Sequence, residues 1–444
     1  MAEVLPFRGI LYNPQKIRNL SDVLTPPYDV ISKQGQHNFY ERHPRNIIRL
    51  ILGKTTENDN INNNCYTRAS DFLKNWFSEN ILEQDTTPVF YLTSMDFSLE
   101  NKIFTRYGII ALVALEPFKD GVIVPHESTF SNVKMERFEL MKSCHANFSP
   151  IFSLYSDSKN IIIDKLKGLA LKQKPVIEFT DYDGHRHKMW RITDLDSCRY
   201  VSNAMQEKRL FIADGHHRYE TALDYRDWIS SSNPDFNKDH PANYIMMYLS
   251  SMEDTGLVIL PAHRMVKGLK SSITGSFINK AEDYFDILKI SFMDSDFERA
   301  RAEFISILKS NASKNIIGVL MKGSKKFYLL TLKSGVMERM FSNDLPEALR
   351  YLDVTVLTRL IFIEIFGFDN SNLDNESIIT YSSSEKQAIE AAVSGKCDIS
   401  FILNPTKIEQ VRDIANKGLI MPKKSTYFYP KVITGLVLNK LTRA

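Results

Sequence analysis

The chain has 444 residues, of which 43% are hydrophobic and 25% are charged, and its formal net charge is +3. This length predicts two or three domains, and the composition is that of an ordinary globular protein. The small net charge provides no basic tail, and we expect no nucleic-acid partner.

The four cysteines, Cys65, Cys144, Cys198 and Cys397, are far apart and form no C-x-x-C pair. A disulfide framework or a cysteine-based zinc site is therefore not expected, and a reducing compartment is. The N-terminus lacks a basic region followed by an apolar run, and no run of about 18 apolar residues occurs. We therefore expect a cytoplasmic protein with no signal peptide and no membrane span.

Apolar runs bounded by turn residues predict the strands of the first part of the chain. These strands are 89–93, 104–115, 122–124, 150–155, 176–180, 188–192, 209–213, 244–249 and 257–260. Helical spacing predicts helices over 66–77, from about 135 to 146, and over 219–229. Asp183–Gly184 predicts a hairpin. We expect His185 and His187, just past that turn, to be solvated, with metal binding as the alternative.

A change of composition near residues 267–276 predicts a domain boundary. The remaining chain alternates strands and helices, which favours an α/β or α+β domain. Its predicted strands are 287–292, 316–321, 327–332, 378–381 and 399–403. Its predicted helices are 296–308, 354–365, 385–392 and 408–416.

The most informative stretch is Asp214–Gly215–His216–His217–Arg218, where a buried strand gives way to a helix. The first N–H groups of such a helix can bind an anion, and Gly215 permits close approach of the backbone. Arg218 can hold a phosphate or carboxylate, and His216 and His217 can donate hydrogen bonds or carry protons. The alternative is a capped, solvated helix start without a ligand.

A second strand ends in Pro125–His126–Glu127. If it neighbours the strand before Asp214, both polar ends lie at one sheet edge, where ligands usually bind. This set suits phosphoryl transfer, with Glu127 as the base on an alcohol and Asp214 as a ligand for Mg²⁺. The sequence has no P-loop or kinase glycine loop, and adjacent histidines are poorly placed to share a zinc ion.

Two further stretches are rich in polar and aromatic residues: a Pro-Pro-Tyr-Asp segment and a C-terminal segment with tyrosines, lysines and hydroxyls. We take Tyr28, Asp29, Arg264 and Lys431 as candidate substrate-binding residues. The N- and C-terminal segments are expected to close over the site and exclude water. The alternative for each residue is a role in domain contacts.

The Asp214–Arg218 turn resembles the phosphate-binding turn of the ParB/sulfiredoxin-like nucleotide-binding fold. Together with Pro125–His126–Glu127, it resembles the free-serine kinases of that superfamily. This resemblance implies that Glu127 is the base on the serine hydroxyl, with His126 beside it in the catalytic set. It implies that residues Asp214 to Arg218 hold the nucleotide phosphates and the metal.

Over its whole length the chain resembles the domain-of-unknown-function family 1015. The matching stretches are 25–30, 125–127, 147–150, 213–222 and 424–431. The expected fold is α/β (α+β), with a ParB/sulfiredoxin-like core at about 88–268 inside an N-terminal region 1–268. A C-terminal α/β domain, 269–444, ends in a tail that caps the site. The resemblance also implies a setting in phosphoserine-route serine synthesis.

We therefore expect a nucleotide-dependent phosphotransferase that acts on serine or O-phosphoserine and uses ATP or ADP and Mg²⁺. The direction of transfer stays open: it is the kinase reaction or the transfer from O-phosphoserine to ADP. The alternatives are a non-catalytic nucleotide-binding regulator, a ParB-like nucleotide switch and a phosphoserine phosphatase. A ParB-like protein needs a basic face and a helix-turn-helix, and neither stands out. Sulfiredoxin-like repair needs a cysteine beside the phosphate turn, and none of the four lies there. The expected partners are the nucleotide and the small substrate, and a homodimer stays open.

Overall fold

The computed structural model describes residues 2–126 and 131–442, which form a mixed α/β protein as predicted. Contacts divide the chain into two units. Among the described residues, the first unit comprises 2–125, 131–258 and 430–442, and the second comprises His126 and 259–429. The sequence predicts a boundary between 268 and 269, whereas the chain leaves the first unit after Val258 and re-enters it at Pro430.

The first unit is built on a mixed nine-stranded sheet. The strands of this unit up to Val258 are β1 (Val4–Leu5), β2 (Ile10–Tyr12), β3 (Leu82–Gln84), β4 (Phe90–Leu99), β5 (Lys102–Ala114), β6 (Ile123–Val124), β7 (Ala146–Asn147), β8 (Ile151–Tyr155), β9 (Ile177–Thr180), β10 (Arg186–Ile192), β11 (Leu210–Asp214) and β12 (Tyr244–Ser251). The order in the large sheet is β6–β11–β8–β12–β5–β4–β10–β9, and β1 pairs with β5.

Seven α-helices accompany this sheet among the described residues. They are α1 (Lys33–Arg42), α2 (Ile48–Ile51), α3 (Cys65–Ser78), α4 (Ser131–Cys144), α5 (Ile161–Ala170), α6 (Leu195–Gln206) and α7 (His216–Ser232). Helix α6 is not among the predicted helices, although Asp194 caps it by accepting a hydrogen bond from the Ser197 N–H. No helix in the described part of the chain is long and apolar enough to cross a membrane.

Strand β11 is buried along its whole length because it lies between β6 and β8 and under α7. Ile212 and Tyr219 belong to the same apolar core, which fixes the start of α7 against the sheet. Strands β6 and β11 are parallel neighbours, with Leu210 opposite Ile123 and Phe211 opposite Val124. This confirms the adjacency on which the predicted site depends.

The second unit contains a six-stranded sheet in the order β15–β17–β16–β19–β14–β18. The strands from Val258 to Tyr429 are β13 (Val258–Leu260), β14 (His263–Val266), β15 (Phe285–Ser291), β16 (Ile316–Met321), β17 (Lys326–Leu332), β18 (Ile379–Ser382), β19 (Ile399–Ile402) and β20 (Tyr427–Tyr429). Every pairing in the six-stranded sheet is antiparallel, which makes this unit α+β of the two predicted alternatives.

The helices of the second unit are α8 (Ser271–Ala281), α9 (Phe297–Ser310), α10 (Val336–Phe341), α11 (Glu347–Arg350), α12 (Asp353–Val356), α13 (Asn370–Leu373), α14 (Glu385–Val393) and α15 (Ile408–Asn416). A π-helical stretch, Leu357–Ile365, directly follows α12. Aromatic packing dominates the core of this unit, and the rings of Phe304 and Phe327 stack at 4.7 Å.

Residues 430–442, which we call the returning segment, pack against the rest of the first unit. They contain β21 (Asn439–Lys440), which pairs with β7. The Thr434 N–H donates to the Thr25 carbonyl at 2.8 Å, and Leu438 bridges Ile10. Gly435 has φ +93°, and a Cβ there would meet Leu24 and Ile47 at 3.0 to 3.1 Å, so only glycine fits without displacement.

Candidate functional site

The turn from β11 into α7 depends on Gly215. Its φ is +97°, and a Cβ at this position would lie 2.8 to 2.9 Å from the guanidinium atoms of Arg218. Gly215 is also the N-cap of α7, and it makes no side-chain capping bond to the first turn. The helix therefore begins without the usual Ser, Thr or Asp cap, as helix starts that receive an anion often do.

Two cations converge on the carboxylate of Asp214. Arg218 donates from Nη2 to Oδ2 at 2.6 Å, and the Lys431 ammonium donates to Oδ1. Arg218 also donates to the carbonyl of Pro150, just before β8. The side chains of Asp214, Arg218 and Lys431 are only 10%, 12% and 14% exposed. Two cationic side chains thus converge on one carboxylate at the beginning of α7.

Burial alone would raise the pKa of Asp214, but the charges of Lys431 and Arg218 outweigh it and lower this pKa to about 2. The carboxylate is therefore ionised at every physiological pH. An ionised Asp214 holds both cations in place at the beginning of α7.

Tyr28 lies beside the same cluster. Arg137 of α4 lies 4.2 Å from the centre of its ring, and Tyr28, Arg137 and Arg218 line one cavity of about 50 Å³. Burial, helped by Asp29, raises the pKa of the Tyr28 hydroxyl to about 12. Tyr28 thus stays a neutral hydrogen-bonding group. The cavity is smaller than the several hundred Å³ that a nucleotide-sized ligand needs.

The other predicted site residues of the first unit differ in how exposed their side chains are. His216 is buried, with 8% of its surface exposed, and His217 is half-buried. Asp29 is exposed, directly after Tyr28 in a short 3₁₀ turn. The structure therefore brings Asp214, Gly215, Arg218, Lys431 and Tyr28 into one region of the first unit.

Two predicted site residues belong to the second unit. His126 is buried, its Nε2 lies 2.9 Å from Oγ1 of Thr426, and its carbonyl accepts from Met421 N–H. Arg264, on β14, is 2% exposed and donates to the carbonyls of Ala262 and Lys424 at 2.8 and 3.2 Å. Glu127, the predicted base, lies outside the described residues.

The residues around Asp214 do not fit the predicted Mg²⁺ ligand. Both of its carboxylate oxygens accept hydrogen bonds from cationic side chains, and Mg²⁺ needs unprotonated oxygen ligands free of competing cations. The contacts of Asp214 therefore give no support to its predicted role as a Mg²⁺ ligand.

Two features of this site were missed in the sequence. Arg137 follows no motif, and only the fold brings it over Tyr28. Residues 147–150 form hydrogen bonds with the returning segment. Asn147 accepts from Asn439 at 3.1 Å, and Ser149 and Thr434 lie 2.8 Å apart. Residues 147–150 are one of the stretches that match the family, but Thr434 and Asn439 lie beyond the matching stretch 424–431, so no sequence signal links these partners.

The expectation that His185 and His187 are solvated is wrong. Both are buried, with exposed fractions of 8% and 5%. The ring of Phe179 on β9 stacks on His187 at 4.8 Å, and that of Phe97 on β4 lies edge-on to His185 at 6.3 Å. The hairpin turn itself is exposed, but its neighbours in the sheet cover these two side chains.

The fold and the site define a two-unit mixed α/β protein in which two cationic side chains contact one carboxylate at a strand end. The chain belongs to the family described as a protein of unknown function, DUF1015, whose model matches residues 4–355. None of the curated proteins matches the sequence.

Solved structures with some likeness include a conserved hypothetical protein from Pyrococcus furiosus, with 12% identity and a TM-score of 0.34 over 75% of this chain and 95% of that one. They also include a free serine kinase in complex with AMP, with 11% identity and a TM-score of 0.33 over 72% and 86% of the two chains. SbnI from Staphylococcus aureus has 9% identity and a TM-score of 0.32 over 72% and 84%. At TM-scores this low, neither the fold nor the function rests on these neighbours.

Proposed function

We propose that this chain is a nucleotide-dependent phosphotransferase that acts on serine or O-phosphoserine, with the Asp214–Arg218 turn as its phosphate site. The observation that carries the proposal is the convergence of Arg218 and Lys431 on Asp214 at the uncapped start of α7. Helix dipole, backbone N–H groups and fixed cations all favour a phosphate at such a position.

The choice of acceptor comes from the Pro125–His126–Glu127 motif and its resemblance to the free-serine kinases. In the kinase direction, the serine hydroxyl oxygen attacks the terminal phosphorus of the nucleotide. A new O–P bond forms, the bond to the leaving nucleotide oxygen breaks, and the hydroxyl proton passes to the Glu127 carboxylate. In reverse, O-phosphoserine gives its phosphoryl group to ADP and regains the proton from Glu127.

Arg218 and Lys431 would neutralise the phosphate oxygens as charge develops on them. Asp214 touches both cations, so its role is to position them. Tyr28, beside Arg218 and held neutral by its raised pKa, would donate a hydrogen bond to the substrate. This division of roles predicts that Lys431 and Arg218 act on phosphate binding and that Glu127 acts on the chemical step.

Phosphorus-31 NMR tests the proposal directly. The full chain is incubated with O-phosphoserine and ADP, with serine and ATP, and with serine and ADP, each with and without Mg²⁺. We expect transfer in at least one mixture, abolished in Glu127→Gln and reduced at least about 100-fold in Lys431→Met, as losing a fixed charge from such a site does. Asp224→Asn, an exposed substitution on the same helix, is the matched control and should keep full activity.

The other outcomes separate the alternatives. Release of inorganic phosphate alone would assign a phosphatase. Nucleotide binding by calorimetry that is weakened in Lys431→Met, without transfer to either substrate, would assign a regulator that binds nucleotide at the same turn. Absence of both binding and transfer would contradict the proposal.

A further inference from the structure

A second polar cluster lies in the hairpin that joins β9 and β10. Oδ1 of Asp181 accepts hydrogen bonds from the N–H groups of Asp183 and His185, at 3.0 and 2.9 Å. Oδ2 faces the imidazoles, 2.8 Å from Nε2 of His187 and 3.3 Å from Nδ1 of His185. One oxygen of this carboxylate therefore builds the turn, while the other points to two imidazole nitrogens.

The three side chains are arranged as a metal-binding set. One nitrogen of each histidine and one oxygen of Asp181 all lie within 4.8 Å of one another. The N–H groups of Asp183 and His185 fix the orientation of the carboxylate, as outer hydrogen bonds do in metal sites. The rings of Phe97 and Phe179 pack against the two imidazoles and restrict their rotation.

The donor set selects the kind of metal. Two imidazole nitrogens and one carboxylate oxygen suit Zn²⁺ and its neighbours Co²⁺ and Fe²⁺, whereas Mg²⁺ and Ca²⁺ prefer oxygen ligands alone. Metal ligation requires neutral imidazoles, and the cluster then carries one negative charge, which favours a cation. Three protein ligands leave a fourth position for water or another ligand.

We propose that Asp181, His185 and His187 bind a divalent transition-metal ion of the zinc class. This site is separate from the Asp214 cluster, because β9 and β11 are six strand positions apart in the sheet order. That separation is roughly 29 Å at about 4.8 Å per strand. The bound ion would tie the β9–β10 hairpin at the edge of the sheet and present one open coordination position.

The test uses the full chain after removal of metals with a chelator. Zn²⁺ is titrated by calorimetry, and Co²⁺ is titrated by visible absorption. We expect one ion per chain, a Co²⁺ spectrum without thiolate charge-transfer bands, and affinity lowered at least about tenfold in Asp181→Asn and in His187→Gln. His37→Gln removes an exposed imidazole elsewhere in the first unit and should bind like the unmodified chain.

Asp181→Asn keeps an oxygen that can accept the two turn N–H bonds, so it removes charge with little change of shape. Near-ultraviolet circular dichroism checks that both variants are folded, and His185→Gln replaces either one if it is not. The proposal is overturned if the unmodified chain binds no stoichiometric Zn²⁺ or Co²⁺. It is also overturned if folded variants bind these ions as tightly as the unmodified chain, or if thiolate bands show that cysteines hold the Co²⁺.

Discussion

The large sheet of the first unit has a hydrogen-bonded carboxylate toward each end, and the two differ in what surrounds them. Asp214, on the penultimate strand at one end, accepts hydrogen bonds from Arg218 and Lys431. Asp181, after the edge strand at the other end, faces two imidazoles. Cationic donors around the first carboxylate suit the proposed phosphate. Imidazole and carboxylate ligands in the second cluster suit the proposed metal ion.

The largest expected effect is on stability at the Asp214 end. Asp214→Ala removes the carboxylate that both Arg218 and Lys431, two nearly buried cations, contact. We expect it to lower the free energy of unfolding by about 3 to 5 kcal/mol. Urea denaturation monitored by circular dichroism measures this change, and Asp224→Ala on the same helix should stay within about 0.5 kcal/mol. A loss below about 1 kcal/mol would mean that the two cations do not depend on Asp214.

The next effect is a dependence on pH. The pKa of Asp214 is about 2 in the folded protein and 3.8 in its unperturbed state. A lowered pKa contributes stability above the unperturbed value, and that contribution is lost as pH falls from about 4 to about 2. We expect a loss of about 2 kcal/mol in this range, which Asp214→Asn abolishes. Equal acid sensitivity of the variant and the unmodified chain, in denaturation series at pH 5 and below, would refute the assignment.

Two glycines, Gly215 and Gly184, allow the backbone at the two ends of the large sheet to be compared. Gly215 and Gly184 both have positive φ, +97° and +82°, but a Cβ meets the Arg218 guanidinium at Gly215 and nothing within 4 Å at Gly184. Gly184→Ala should therefore cost only the strain of its backbone, about 1 kcal/mol. Gly215→Ala should cost about 1 kcal/mol more and weaken nucleotide binding, because Arg218 must move. Urea denaturation ranks the two, and equal costs would show that Arg218 moves aside freely.

The smallest expected effect is the coupling between the ends. Sites this far apart with no shared partner add independently, so the double variant Asp181→Asn/Asp214→Asn should lose the sum of the single losses within about 0.5 kcal/mol. In thermal melts, Zn²⁺ should stabilise Asp214→Asn but not Asp181→Asn, and nucleotide should do the opposite. Loss of both ligand effects in both single variants would show that the two clusters are coupled.

The sequence predicts the Asp214 turn well because its signals are local. A buried strand, an Asp-Gly pair and a helical apolar pattern are consecutive, and the structure has β11, a left-handed Gly215 and α7 in this order. The contact between Asp214 and Lys431 joins residues 217 positions apart. No spacing rule predicts it, because it depends on the whole path of the returning segment.

The histidines of the hairpin show the opposite case. The Asp183–Gly184 turn is predicted correctly, and β9 and β10 pair in register on either side of it. The burial of His185 and His187 is missed, because Phe97 comes from β4, which is distant in sequence but neighbours β10. The same limit applies to α5 and α6, whose apolar faces are defined by the core that they cover.

The contact of Lys431 with Asp214 also has a consequence for the order of folding. It closes a loop of 217 residues, and long loops close late because their closure costs the most chain entropy. Until then the Asp214 turn lacks the contact with Lys431. The phosphate site that we propose at this turn is therefore completed only after the chain has passed through the second unit and returned.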